Sequence, residues 1–510
     1  MQVLKPAVRL IGVCKRFGAV QANDDVTLQV AAGTVHGIVG ENGAGKSTLM
    51  SVLYGLHSAD RGRVEIDGRP VQIRNPHDAI ALGLGMVHQH FMLVDTLTAL
   101  ENLMLGAEPH ALLHRAEAGM RPRLYNLMQS TGLKVDLDAT VAGLPVGERQ
   151  RLEILKALVR GAKILILDEP TAVLTPQEAE ALFQVLARLA ARGTTILLIT
   201  HKLKEVMRLC SRVTVMRAGR VVQESAVADT SVEALATAMI GRKPMLGRAA
   251  AAARAGGEVR LDAAGLQLRD ALGTQRLQGV SLRLSAGEIV GVAGVSGNGQ
   301  SELLELLSGL RAPDAGTLRV GDARFHAGHW LDPQRARALG VAHVPEDRQA
   351  RALVMDFAAW ESAVLGYEAA PEASRRGWMQ VAALRGAAAQ LMQRFDVRPR
   401  DVDLACARFS GGNQQKLVLA REIGRAPRVL LVGQPTRGVD IGAIEFIHGQ
   451  LRALRTAGCA ILLVSSELDE ILALADRVLV MHAGRIVGER PIGQCSERNL
   501  GLLMAGEVPA

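Results

Sequence analysis

Gly40-Glu41-Asn42-Gly43-Ala44-Gly45-Lys46-Ser47, with Thr48 behind it, has the residue types and spacing of a phosphate-binding loop. Glycines let backbone N–H groups wrap an anion, and a helix opening at the lysine adds a favourable field. Lys46 brings a mobile cation, and the Ser47 hydroxyl suits Mg²⁺. A second group follows in Ile164-Leu165-Ile166-Leu167-Asp168-Glu169-Pro170, four apolar residues that end in two carboxylates. Asp168 suits a metal shell, and Glu169 can orient or deprotonate a water. His201 comes just after the apolar run Thr195–Ile199 and is placed to sense a terminal phosphate. Each feature has a plainer reading: a glycine turn can be structural, paired acids can cap a helix, and a single histidine is usually structural. Their common order gives them weight.

The elements that must position these groups are short and apolar. Runs at Val35–Val39, 163–167, Thr195–Ile199 and 213–216 read as strands covered on both faces. Stretches 49–56, 149–159 and Pro176–Ala191 read as helices, and a helical insert is expected over about 101–144. Alternating strands and helices imply an α/β fold with a largely parallel sheet.

The chain also repeats itself. Residues 212–222 return at 477–487, 265 positions on, and residues 26–33 return at 280–287, 254 positions on. Repeats of the solenoid kind are far shorter, so the period marks two whole domains. The expected division is 1–243, a short Ala/Arg/Gly-rich tether at 244–258, and 259–507.

These motifs resemble those of the ATP-binding cassette (ABC) ATPases, and the resemblance covers nearly the whole chain. It implies two tandem P-loop nucleotide-binding domains, each with a mainly parallel core, an antiparallel β part and a helical subdomain. ATP and Mg²⁺ are implied with it. Gln89 would contact both the metal region and the membrane partner, and Phe17 would stack on adenine, although a core phenylalanine is the competing reading. The family's signature is nearly intact in the second copy as Phe409-Ser410-Gly411-Gly412-Asn413-Gln414. In the first it is eroded, with Pro145 for the serine and Val146 for the first glycine.

The second copy fails elsewhere. Gln300 stands where the phosphate-binding lysine belongs, Gly433 and Gln434 replace the two acids, and Ser466 replaces the histidine. Glu346 takes the position of Gln89, and Ala271 lies opposite Phe17. A glutamine cannot accept a proton from water, so this half has lost its chemistry. Cassettes of this family pair head to tail, which would set the intact first loop against Ser410, Gly411, Gly412 and Asn413. All the damage would then gather in the other site.

A two-cassette chain of this kind is similar to the ATPase subunits of bacterial importers for simple sugars and nucleosides, and the stretch 90–102 resembles the nucleoside branch. Two permease subunits and a solute-binding lipoprotein or periplasmic protein would be partners, at the cytoplasmic face of the inner membrane. Ribose- or galactose-type import is the alternative, and a ribosome-acting twin-cassette ATPase is the alternative of another class. With 48% hydrophobic and 22% charged residues, wholesale disorder is excluded. The five cysteines are scattered with no C-x-x-C pair, which disfavours a zinc site or a disulfide frame. Only 3% of residues are aromatic, which argues against stacking on nucleic-acid bases, although the net charge is +8. No apolar run reaches spanning length, and no secretory leader is expected.

Overall fold

The computed structural model describes residues 6–18, 20–88, 91–106, 113–171, 174, 176–242, 257–270, 273–295, 297–368, 370–439, 441–504 and 506. The chain divides into two compact units, Met1–Pro244 and Met245–Ala510. Most of the expected tether lies outside the described residues.

In the first unit β1 (Pro6–Phe17) and β2 (Val20–Ala31) lead to β3 (Val35–Val39), whose five residues are all buried. After helix α1 (Lys46–Leu53) come β4 (Arg61–Ile66), β5 (Arg69–Val71), α2 (Pro76–Ala81) and β6 (Leu84–Val87). Helices α3 (Ala99–Met104), α4 (Leu113–Thr131) and α5 (Val146–Val159) precede β7 (Ile164–Asp168). The unit closes with α6 (Pro176–Ala191), β8 (Thr195–Ile199), α7 (Leu203–Leu209), β9 (Arg212–Arg217), β10 (Arg220–Ala226) and α8 (Val232–Ile240).

Two sheets result. The smaller is antiparallel, in the order β2-β1-β4-β5, and the larger runs β10-β9-β3-β8-β7-β6. In the larger, β3 is parallel to both β8 and β9, and β7 is parallel to β6 and β8. Only the edge hairpin β9–β10 is antiparallel. Apolar residues from both sheets and α1, among them Leu10, Leu28, Ile38, Leu49, Leu53 and Ile166, form one core. Area removed from water drives this layering, at roughly 25 cal/mol per Å².

The second unit repeats the plan. Its antiparallel sheet places Gln275–Ser285 and Val259–Arg269 beside Ala315–Val320 and Ala323–His326. Its main sheet runs Val341–Val344, Val429–Gly433, Ala460–Ser465, Ile289–Ala293, Arg477–His482 and Arg485–Pro491.

The expected strands appear within a residue or so of their predicted limits. The helix expected at 49–56 instead starts at Lys46 and stops at Leu53, because Gly45 at φ +94° turns the chain directly into it. The helical insert consists of the separate helices α3 and α4. Of these, α3 begins with a reciprocal cap: Thr98 Oγ1 accepts from the Glu101 N–H, and the Glu101 carboxylate accepts from the Thr98 N–H.

Inside the main sheet, His36 on β3 is 1% exposed and shares a 2.8 Å hydrogen bond with the Thr214 hydroxyl on β9. Burial, then the charge of Arg212, lowers its pKa to about 4. A depressed histidine contributes no penalty above its unfolded pKa, near 6.5. As pH falls from there toward 4, the unfolded chain takes the proton first and stability is lost. Urea unfolding should therefore show about 2 kcal/mol less stability from this group at pH 5 than at pH 7.5. His36→Gln, which keeps a hydrogen-bonding side chain without the titration, should flatten that part of the pH profile. An unchanged profile would remove His36 as its source.

Candidate nucleotide site

The site is built where β3, β8 and β7 end together, at the carboxyl edge of the parallel sheet. β3 delivers Gly40 and the loop that follows. A Cβ on Gly40 would lie 2.4 Å from the Met216 carbonyl oxygen, and one on Gly45 would lie 2.2 Å from that of Ala22. Neither position has room for a side chain. Asn23, fully buried on β2, donates from Nδ2 to the Gly45 carbonyl at 3.0 Å. The Gly219 N–H donates to the Ala44 carbonyl at 3.1 Å, and Ala44 N–H donates to Glu41 at 3.0 Å. Lys46 is 5% exposed and folds back over the loop, its Nζ donating to the carbonyls of Gly40 (2.8 Å) and Glu41 (3.0 Å).

Asp168 is the last residue of β7, and the Ser47 hydroxyl is near enough to favour its charged form. Burial and then the charge of Glu169 push its pKa above the usual carboxylate range, against the pull of Ser47 and Lys46. A divalent cation would supply the missing counter-charge. A hydroxyl and a neighbouring carboxylate are hard oxygen donors of the kind Mg²⁺ takes, so the residues fit that metal.

Glu169 sits at φ +48°, a left-handed turn that carries its side chain toward the end of β8. Its Oε1 lies 2.9 Å from His201 Nδ1. Burial alone would raise its pKa, but the His201 hydrogen bond and the nearby charges of His201, Lys46 and Lys202 outweigh burial and hold it below the ordinary range. The two adjacent carboxylates are thus driven apart, Asp168 upward and Glu169 downward. Two acids pushed in opposite directions are the pattern expected of a site with divided tasks.

Two contributors were missed in the sequence. Asn23 belongs to no motif. Glu205 is a buried acid on α7 that accepts from Thr171 Oγ1 (2.5 Å) and Thr200 Oγ1 (3.3 Å), tying the turn after Glu169 to the residue before His201. Its only sequence signal was a charge on a helix that otherwise reads as amphipathic.

Phe17 ends β1 and is 42% exposed, with its ring edge on His57 at 5.1 Å, so the core reading fails. Gln89 lies outside the described residues. The eroded segment of the first unit puts Pro145 at the start of α5 with no side-chain cap, and Val146 is 40% exposed. In the second unit Ser410 precedes the helix Gly411–Ile423, and Asn413 Nδ2 donates to its Oγ at 2.9 Å. Asn413 Oδ1 accepts from the Arg398 N–H at 2.8 Å, and a Cβ on Gly411 would meet Arg348 at 2.5 Å. Gln434 keeps the turn of Glu169, at φ +47°, but its Oε1 accepts from the N–H (3.1 Å) and hydroxyl (3.0 Å) of Ser466.

Because Asn23 ties β2 to the Gly45 carbonyl through its side chain, Asn23→Ala should cost about 1–3 kcal/mol in urea unfolding. ATP affinity should fall with it. Unaltered affinity would show that the loop holds its shape without this bond.

The family model described as ABC transporter matches residues 23–172 and 277–437. The chain is 44% identical over 503 residues to a guanosine import ATP-binding protein of Bacillus subtilis, covering 98% of both chains. It is 42% identical over 499 residues to a nucleoside import ATP-binding protein of Lactococcus lactis, again covering 98% of both. A glucose import ATP-binding protein of Haloferax volcanii is 42% identical over 532 residues, covering 98% of this chain and 96% of its own. Paired loop, acids and histidine, two units of one plan and likeness along almost the full length lead to one statement: this chain belongs to the ABC transporter family, as an ATP-hydrolysing subunit with two cassettes.

Proposed function

We propose that the chain powers import of nucleosides, hydrolysing ATP at the first unit's loop. The observation that carries this reading is Glu169 held by His201 beside Asp168, Ser47 and Lys46, a set of which the second unit repeats the serine alone. Lys46 and the loop backbone bind the phosphates. Ser47 and Asp168 would hold Mg²⁺, which when bound would supply neutralisation of the phosphate charge. Glu169 orients the attacking water and accepts its proton, and His201 fixes that carboxylate and senses the terminal phosphate. Gln89 carries the nucleotide state to the membrane partner, and Phe17 offers its exposed face to adenine. By the family's head-to-tail pairing, Ser410, Gly411, Gly412 and Asn413 complete the competent site.

We assign the domains as 1–243 and 259–507. Two permease subunits and a solute-binding protein are the proposed partners, and the place of work is the cytoplasmic face of the inner membrane. Among the described residues no helix is long and apolar enough to cross a membrane, so attachment through a permease supports that placement. Likeness to guanosine and nucleoside import proteins, and the 90–102 stretch, support nucleosides over sugars.

Steady-state ATPase of the assembled transporter tests the assignment of roles. Glu169→Gln should cost about 10²–10⁴-fold in turnover while ATP still binds. Gln434→Ala should change turnover little, since an amide already stands there. Gly412→Ala should be nearly as damaging as Glu169→Gln; an inert Gly412 would sink the shared site, and equal losses at 169 and 434 would sink the single competent one.

The solute is read separately. With its solute-binding protein present, guanosine or another nucleoside should stimulate ATP hydrolysis in proteoliposomes. Stimulation by ribose or galactose alone would replace the nucleoside reading.

A further inference from the structure

Glu205, buried on α7, bears on both turns that meet at the first unit's site. Its carboxylate accepts from Thr171 Oγ1 (2.5 Å), two residues past Glu169, and from Thr200 Oγ1 (3.3 Å), just before His201. The Thr200 oxygen in turn accepts from the Lys202 N–H at 3.0 Å, so the residues on both sides of His201 are tied down. Lys202 Nζ lies 3.9 Å from Glu205 Oε1 and offsets its charge. One carboxylate thus spans the gap across which Glu169 Oε1 and His201 Nδ1 lie 2.9 Å apart.

The second unit has the same three positions 265 residues on: Thr436 for Thr171, Ser465 for Thr200 and Glu470 for Glu205. Glu470 is buried too, but its Oε1 lies 3.3 Å from Nε2 of His448, which stands where the first unit has Phe183. Ser465 Oγ still accepts from the Glu467 N–H at 3.1 Å, so the turn survives, yet its hydroxyl donates to the Glu467 carbonyl at 3.5 Å. Glu470 Oε2 is buried with no hydrogen-bond partner among the described residues. Partners have been exchanged elsewhere in this unit. Ser301, at the position of Ser47, donates to Glu346 Oε2 at 2.6 Å, and a Cβ on Gly433 would sit 2.6 Å from Glu346 Cγ. Gln300 braces its loop by donating to the Val295 carbonyl at 3.1 Å. The acid on the helix therefore spans the two turns where Glu169 and His201 stand, and has turned away where they are Gln434 and Ser466.

We propose that Glu205 is a positioning residue for hydrolysis: through Thr171 and Thr200 it sets the approach of His201 to Glu169, and so aims the general base at the attacking water. This role rests on those assigned above to Glu169 and His201. Packing of α7 does not require the two threonine bonds, because the equivalent helix of the second unit docks with its acid bonded elsewhere. A misplacement of about 1 Å at a reacting group costs about 10²-fold in rate, so the spacing of the two turns is worth fixing with a buried carboxylate.

The test is steady-state ATPase of the assembled transporter, with ATP affinity and the urea midpoint measured for each variant. Glu205→Ala should lower kcat about 10²-fold and leave KM for ATP within about threefold, since the phosphate loop is untouched. Thr171→Val keeps the shape and removes one hydroxyl, and should lose about tenfold in kcat; it carries the test if Glu205→Ala does not fold. Glu205→Gln, whose amide can still bond both hydroxyls, should recover most of the rate. In a Glu169→Gln chain, adding Glu205→Ala should cost at most about twofold more, because both act through one base. Glu470→Gln should leave kcat as it is. The role of Glu205 is overturned by a wild-type kcat in Thr171→Val, by a rise in KM in place of the fall in kcat, by Glu205→Gln as slow as Glu205→Ala, by losses that multiply in the Glu169→Gln chain, or by an equal loss from Glu470→Gln. A fully active Glu169→Gln chain would instead overturn the base assignment beneath it.

Discussion

In the first unit, backbone presses on backbone where the loop between β3 and α1 passes between the two sheets. On one side the Met216 carbonyl of β9 fills the space a Gly40 side chain would need, and on the other the Ala22 carbonyl of β2 does the same to Gly45. The loop is therefore located by both sheets at once. From that anchorage follow the start of α1, the direction of Lys46 and the approach of Ser47 to Asp168, at the end of the strand two places along in the order. A side chain at either glycine would move all of them together, which is why the chemistry depends first on room that is denied to side chains and only then on charge.

Much of this was legible because the chemical groups sit at strand ends and the strands are short and apolar. Val35–Val39, Ile164–Asp168 and Thr195–Ile199 are buried along their whole length, so their apolar runs marked them clearly, and residues at or within two places of each end carried the function. Periodicity served less well where a turn sets the boundary: the first turn of α1 is written in glycine conformation rather than in apolar spacing. Asn23 and Glu205 were illegible for another reason. Each acts across a long stretch of sequence, through one hydrogen bond to a loop or to a pair of threonines, and a single polar residue inside a strand or helix carries no local sign of that partner.

The two units separate what a fold requires from what a reaction requires. The left-handed turn after the acid strand persists at nearly the same angle, +48° at Glu169 and +47° at Gln434, although only one side chain can accept a proton. The bracing of the loop by residue 46 or 300 persists too, by ammonium in one and amide in the other. Strand ends, glycine clearances and turns answer to packing, and packing is common to both units. Charge answers to phosphate and metal, and there the units have parted.

The clearance at Gly433 gives that parting a direction in time. While Glu346 occupies the space beside it, a mutation that places aspartate at 433 alone meets a side chain already in residence and is opposed by steric overlap. One that first removes Glu346 takes away the carboxylate that accepts from the Ser301 hydroxyl at 2.6 Å. Regaining an aspartate at 433 therefore needs a change at Glu346 as well, before lysine, glutamate and histidine are restored at 300, 434 and 466. The asymmetry between the halves is held by a ratchet of side-chain volume as well as by loss of catalytic groups.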